Sequence, residues 1–217
     1  MSPEILEPTA TNIATVADCL RDGGVVVAPS DTNMALTVSP DHGDAIDRVY
    51  DIKQRPRHKP LTLFVRDPAD WRRFGRHDDP DLVDALAEAF WPGPLNLVLE
   101  RDSPTLDDRC AMDGTVSVGC LSNPVWRELA EAVGGPVAMT SANVSGTVSD
   151  ETLVDPETAV DHVGEAADYV LGGAPEGTTR ASTICSLAAG DSGEATVLRR
   201  GDVTVDTIEN AAPLRVD

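Results

Sequence analysis

Apolar positions along this chain recur in two rhythms, one of helical spacing and one of short continuous runs. In TNIATVADCLRDGG, Ile13, Val16, Ala17 and Leu20 fall on one helical face, and Gly23-Gly24 follow as a stop signal. VVVAP then reads as a short buried strand and MALTV as another. GDAIDRVYDIK is a helix with Ile46, Val49 and Tyr50 on one side, and LTLFV is a strand. DPDLVDALAEAF is a helix opened by Asp-Pro and ended by WPGP. Strands LNLVLE and TVSVGC, a helix in PVWRELAEAV and strand PVAMTS come next. A helix over 156–163, strand DYVLG and strands STICSLA and ATVLRR complete the series.

Strands and helices alternate throughout, with no Ser/Gly-rich linker and no internal repeat. The pattern predicts one α/β domain over residues 1–217, with a mixed sheet because the C-terminal third is strand-rich. In such folds binding residues sit on loops at strand ends.

Composition narrows the picture. Hydrophobic residues make up 41% of the 217, enough for a substantial core. No apolar run approaches the roughly 18 residues that span a bilayer, and MSPEILEPTA lacks the basic and apolar regions of a signal peptide. The expectation is a cytoplasmic protein with no membrane partner. The net charge is −20, and 25 of the 37 acids are Asp, spread along the chain. Such a surface suits high ionic strength, where salt screens self-repulsion, and marks a halophilic protein. It argues against a broad nucleic-acid face, which must be basic. Cysteines 19, 110, 120 and 185 lack C-x-x-C spacing and sit among apolar neighbours, as buried free thiols do.

Against that background KQRPRHKP, residues 53–60, stands apart. It holds Lys53 and Lys59, and the chain has no other lysine. Pro56 and Pro60 stiffen the loop, and in extended chain Lys53 and Arg55 would point the same way. Cations so placed before a strand suit a triphosphate or pyrophosphate. In TSANVSG, Ser141, Asn143 and Ser145 offer hydroxyl and amide groups at alternate positions, fit for phosphate, ribose or base, or for a plain polar turn. There is no G-x-S-x-G, no Walker P-loop and no G-x-G-x-x-G, so a nucleotide would bind by another design.

Taken together, APSDTNMAL, IKQRPRHKPLTLFV, WPGPLNLVLE, TVSVGCLSNP, MTSANVSG, STI and VLRRG resemble the YrdC/Sua5 family, in the family's order, over about residues 25–201. The resemblance implies a single YrdC-like domain of the short form, a twisted mixed sheet with helices around a large basic cavity. It implies synthesis of threonylcarbamoyl-adenylate from L-threonine, bicarbonate and ATP, with Mg2+ carried by the nucleotide and no protein metal site. The product would pass to the tRNA threonylcarbamoyl-transferase machinery for adenosine 37, with a local RNA contact as a further partner. By the same resemblance Lys53, Arg55 and Lys59, with Arg199, would hold the ATP phosphates; Lys53 and Arg55 would also be the electrostatic catalysts. Thr115 and Asn143 would contact the nucleotide, and Thr32, Ser141 and Ser182 would lie near the amino acid.

The chain departs from the family pattern in one group of positions. Met34 and Ala35 stand where the family has tyrosine and glycine, and Gly119 and Leu121 where it has arginine and proline; Phe64 replaces a polar residue of many members. The resemblance makes that arginine the partner of the threonine carboxylate. Losing such a partner costs about 2–5 kcal/mol unless another arginine fills in. Arg57, Arg127 and Arg180 are the candidates. Two alternatives stay open: a paralogue adenylating another carbamoyl compound, and a non-catalytic RNA- or nucleotide-binding member using RPRHK with Arg72, Arg73 and Arg76.

Overall fold

The computed structural model describes residues 5–149, 152–174, 177–188 and 194–216, so the first four residues of the leader reading lie outside it. Strand β1 (Ile5–Leu6) precedes helix α1 (Ala10–Arg21), strands β2 (Val26–Pro29) and β3 (Met34–Val38), and helix α2 (Gly43–Lys53). Strand β4 (Thr62–Phe64), a 3-10 turn (Pro68–Arg73) and β5 (Gly75–Arg76) lead to α3 (Pro80–Phe90). Next come β6 (Leu95–Arg101), β7 (Ala111–Met112), β8 (Thr115–Gly119), α4 (Pro124–Val133) and β9 (Val137–Ser141). The described chain closes with α5 (Pro156–Val163), β10 (Tyr169–Leu171), β11 (Thr183–Ser186), β12 (Glu194–Arg199), α6 (Val205–Ala211) and β13 (Arg215–Val216).

Most of the helices start on a side chain that accepts a backbone N–H, α2 being an exception. Thr9, Asp79, Asn123 and Asp155 cap α1, α3, α4 and α5, and a proline follows directly in the last three. The Asp-Pro and Asn-Pro pairs of the sequence are therefore helix starts. All the strands and helices expected from periodicity are present. The elements not anticipated are short (β1, β5, β7, β13, the 3-10 turns at Pro68–Arg73 and Gly164–Ala166) or, like α6, seven residues with one buried side chain, Ile208. Periodicity has too few turns there to register.

The strands form one mixed sheet in the order β1-β10-β2-β3-β9-β4-β8-β6-β11-β12-β13, with β5 on β6 and β7 on β8. Alternate residues divide the core between the two faces. Val27, Leu36, Leu63 and Val118 join the larger cluster, to which α2 and α3 contribute. Val26, Ala28, Ala35, Phe64 and Met139 join the smaller one with α1 and α4. Helices α1 and α4 pack on each other and over β2. On that face β4, β8, β6 and β11 carry residues that line a cavity instead of meeting a helix. Among the described residues no helix is long and apolar enough to cross a membrane.

Candidate functional site

The cavity has a volume of 630 Å³, within the range of small-molecule sites. Its floor is built by strand register. Phe64 of β4 pairs with Gly119 of β8, Gly119 with Asn96 of β6, Asn96 with Ile184 of β11, and Ile184 with Arg199 of β12. One row thus crosses five strands. No acid is among the described residues lining the cavity, although the chain has 37, whereas Lys53, Arg55, His58, Lys59, Arg199 and Arg200 all line it. The resulting field favours an anionic ligand.

Lys53 and Arg55 do not share an extended stretch, and Lys53 stays in the helix expected over GDAIDRVYDIK. It is the last residue of α2, and Gln54 turns the chain with φ +50°. Helix placement buries Lys53 to 3% exposure, and its ammonium reaches across to the loop after β9. Nζ donates to Ser141 O at 2.7 Å, Ser141 Oγ at 3.1 Å, Asn143 O at 2.7 Å and Asn143 Oδ1 at 3.0 Å. The Ser145 N–H returns a bond to Lys53 O at 2.8 Å. Three ammonium hydrogens face four oxygens, so Lys53 joins the two motifs, and its charge lies just behind the cavity surface.

The rest of the cationic loop is held in a fixed shape. Arg55 donates from Nε to Lys59 O at 2.9 Å and from its terminal nitrogen to Pro60 O at 2.7 Å. The Tyr50 hydroxyl donates to Lys59 O at 2.8 Å and to Arg109 O at 3.2 Å. Arg109 in turn grips Asp107 with two bonds and Asp47 of α2 at 2.5 Å. Its guanidinium holds both carboxyls below the usual aspartate range.

At the other end, the Thr32 and Ser182 hydroxyls meet at 3.3 Å, and Asn33 donates to Thr32 Oγ1 at 3.1 Å. Asp31 supports this corner, a role the sequence reading did not assign. Its carboxylate accepts Ser122 N–H at 2.9 Å and Asn123 N–H at 2.6 Å, ahead of α4. Burial pushes the Asp31 carboxyl up against the pull of those N–H groups. The Asp-Thr pair in DTNMAL was the available signal. Arg199 Nε donates to Ser182 O at 2.8 Å. Gly201 permits that approach, because a Cβ there would lie 2.2 Å from Ala181 O.

The structure thus brings Lys53, Arg55, Lys59, Asn143, Arg199, Thr32, Ser141 and Ser182 to one cavity. Thr115 is not with them. It lies two residues further from the cavity along β8, with its hydroxyl donating to Met112 O at 2.8 Å; Ser117 lines the cavity instead.

The departures from the family pattern sort differently once packed. Met34 is fully buried in the larger core and does not line the cavity, so its change belongs to packing; Ala35 does line it. Gly119 and Phe64 belong together. A Cβ on Gly119 would lie 2.7 Å from Phe64 Cε1 and 2.6 Å from Asn96 Oδ1, so the phenyl ring and the amide hold the space a side chain would need. None of the three replacement arginines lines the cavity. Arg57 pairs with Asp47 and Asp51 on the outer side of α2, Arg127 donates to Arg66 O, and Arg180 is exposed near Asp202. Of the alternative RNA patch, Arg72 pairs with Asp84, Arg73 with Asp70 and Arg76 with Glu100. The cysteines are free thiols, three buried and Cys19 half-buried, with Cys110 pushed up to about 12 by burial. None can serve as a thiolate nucleophile at neutral pH.

Known proteins resemble this chain in sequence and in fold. The Sua5_yciO_yrdC family model, whose description reads "Telomere recombination", matches residues 18–201. A Bacillus subtilis protein named threonylcarbamoyl-AMP synthase is 29% identical over 99% of this chain and 61% of its own length. A Mycobacterium leprae protein named putative threonylcarbamoyl-AMP synthase is 33% identical over 92% of this chain and 87% of its own. The fold of P. abyssi Sua5, solved with L-threonine, superposes with a TM-score of 0.85 at 23% identity, over 99% of this chain and 62% of that one. The chain therefore spans just over three fifths of the B. subtilis and P. abyssi proteins. With the family model matching most of its length, the chain belongs to the Sua5/YciO/YrdC family.

Proposed function

We propose that this chain is a threonylcarbamoyl-AMP synthase, converting L-threonine, bicarbonate and ATP to threonylcarbamoyl-AMP and pyrophosphate. The observation that carries the reading is the cationic cavity, with no acid among its described lining residues, in a chain of net charge −20, within a family whose relatives bear that name. Arg55, Lys59 and Arg199 would hold the phosphates with the Lys53 charge behind them, and Asn143 would contact the nucleotide. Thr32, Ser141 and Ser182 would face the amino acid. Thr115 is left out, since its hydroxyl is engaged elsewhere.

No side-chain nucleophile is required. The threonine amine attacks the bicarbonate carbon, forming a C–N bond and releasing water, and a carbamate oxygen then attacks the α-phosphorus. The bond from that phosphorus to the β-phosphate bridging oxygen breaks, and its electron pair leaves on pyrophosphate. The cations neutralise the charge that builds up on the leaving phosphates, and the fixed 53–60 loop aligns them. The donors at the cavity are hydroxyls, amides and cations, and among the described residues no group of three or more His, Cys, Asp or Glu could hold a metal. Such a set suits magnesium entering on the triphosphate. In this reading the chain is a YrdC-like domain that works in the cytoplasm and hands its product to the tRNA threonylcarbamoyl-transferase machinery, with RNA contact limited to that handover.

The test is pyrophosphate release from ATP and bicarbonate in molar KCl. Release should depend on L-threonine and saturate, while Arg55→Ala should weaken ATP binding at least about tenfold in calorimetry. Release indifferent to threonine by folded protein would overturn the reading. It would favour instead adenylation of a different carbamoyl compound, a second reading motivated by the absence of an arginine over Gly119.

A further inference from the structure

The floor row of the cavity contains a polar atom with no hydrogen-bond partner among the described residues. Asn96 is 3% exposed and lines the cavity, yet its Oδ1 is buried without a hydrogen-bond partner. A buried carboxamide left unsatisfied is costly, and such groups persist where a ligand completes them. The neighbours explain why no protein group completes this one. Gly119 offers no side chain, Phe64 Cε1 flanks the same space, and Ile184 is the strand partner on the other side. Leu121 and Met139 add further apolar wall. The cations of the 53–59 loop stand on separate elements, and Arg199, two strands away, turns its Nε to Ser182 O.

We propose that Asn96 recognises the co-substrate, as a neutral amide paired to a neutral amide-like unit, an N–H beside a C=O. A carboxamide has one donor side and one acceptor side, so its best partner offers the complement of both. A lone carboxylate would satisfy the donor and face the acceptor with like polarity. The inference rests on the synthase reading for the identity of the unit. In that reaction the carbamate made on threonine carries an N–H next to its carboxyl carbon. Asn96 would then hold the activated intermediate while the cations hold ATP, and Phe64 would seal the floor against water.

The test reads binding, not turnover. Protein saturated with a non-hydrolysable ATP analogue, in molar KCl to screen net charge, is titrated calorimetrically with L-threonine and with N-carbamoyl-L-threonine, a stable carrier of the amide-like unit. Two added neutral hydrogen bonds correspond to a preference of about tenfold or more for the carbamoyl compound. That preference should fall below about threefold in Asn96→Leu, with ATP-analogue affinity unchanged. Asn96→Ser serves the same purpose if the leucine variant melts early. Equal binding of the two ligands, no binding of either, or a preference that survives both substitutions would overturn the proposal. If the preference holds but pyrophosphate release ignores threonine, the synthase reading falls and the Asn96 site stands. If release depends on threonine and neither substitution alters the binding pattern, the reverse is true.

Discussion

Replacing Lys53 by methionine tests whether this lysine is a strut or a ligand-binding group. Methionine keeps most of the buried stem and removes the ammonium. The loss takes the ammonium from Ser141 O and Asn143 O, each now 2.7 Å from Nζ; Ser141 O keeps the Asn143 N–H at 3.0 Å, and the Ser141 Oγ to Asn143 Oδ1 bond and the Ser145 N–H bond to the residue-53 carbonyl remain. A charged hydrogen bond contributes about 1.5–3 kcal/mol, and a buried acceptor left unmade costs about 1–3 kcal/mol. The overlapping terms give a destabilisation of about 3–5 kcal/mol. For a domain of this size each kcal/mol moves Tm by about 2–4 °C, so the melt should drop by roughly 6–20 °C. Arg55→Met is the comparison. That side chain is partly exposed and donates to Lys59 O and Pro60 O, so its removal should cost less stability than loss of the buried Lys53 ammonium. Scanning calorimetry with ATP titration on both variants, in molar KCl, separates the roles. Lys53→Met should lose stability and binding together, and Arg55→Met mainly binding. If Lys53→Met melts within about 2 °C of the parent while losing ATP affinity, the four bonds carry no structural weight and the reasoning fails.

Three further outcomes follow from the geometry. Gly119→Ala should destabilise by about 1–3 kcal/mol through overpacking, because its Cβ meets Phe64 and Asn96 below 3 Å; in a double-mutant cycle Phe64→Leu should recover part of that loss, and strict additivity would refute the contact. The Asp47 and Asp107 carboxyls, held low first by Arg109, contribute stability that is full above the ordinary aspartate value and is lost as pH falls through their lowered values. Arg109→Gln should therefore make the protein less stable at neutral pH and flatten its loss of stability below about pH 4, and an unchanged acid limb would contradict this. Raising KCl from 0.1 to 2 M should raise Tm by screening the repulsion of a chain at −20, and a falling Tm would remove the halophilic reading.

The local elements were legible because they rest on short-range rules. Helical spacing marked Ile13, Val16, Ala17 and Leu20 as a buried face, and Asp79-Pro80 and Asp155-Pro156 marked helix starts. The site's charge was legible too, since both lysines of an acid-rich chain fall within residues 53–59. Tertiary structure decided the direction of each side chain and the distances between motifs. Lys53 and Arg55, two apart in sequence, part company because a helix ends between them at Gln54. Thr115 and Ser117 share a strand face, yet only Ser117 reaches the cavity, a matter of where the sheet meets its open end. Gly119 read alone was a missing arginine. Register between β4, β8 and β6 makes it one of three residues that share a single space, and leaves Asn96 Oδ1 without a partner among the described residues. Such facts depend on which strands are neighbours, and strand pairing joins residues 64, 96, 119, 184 and 199 across 136 positions of chain that no local pattern connects.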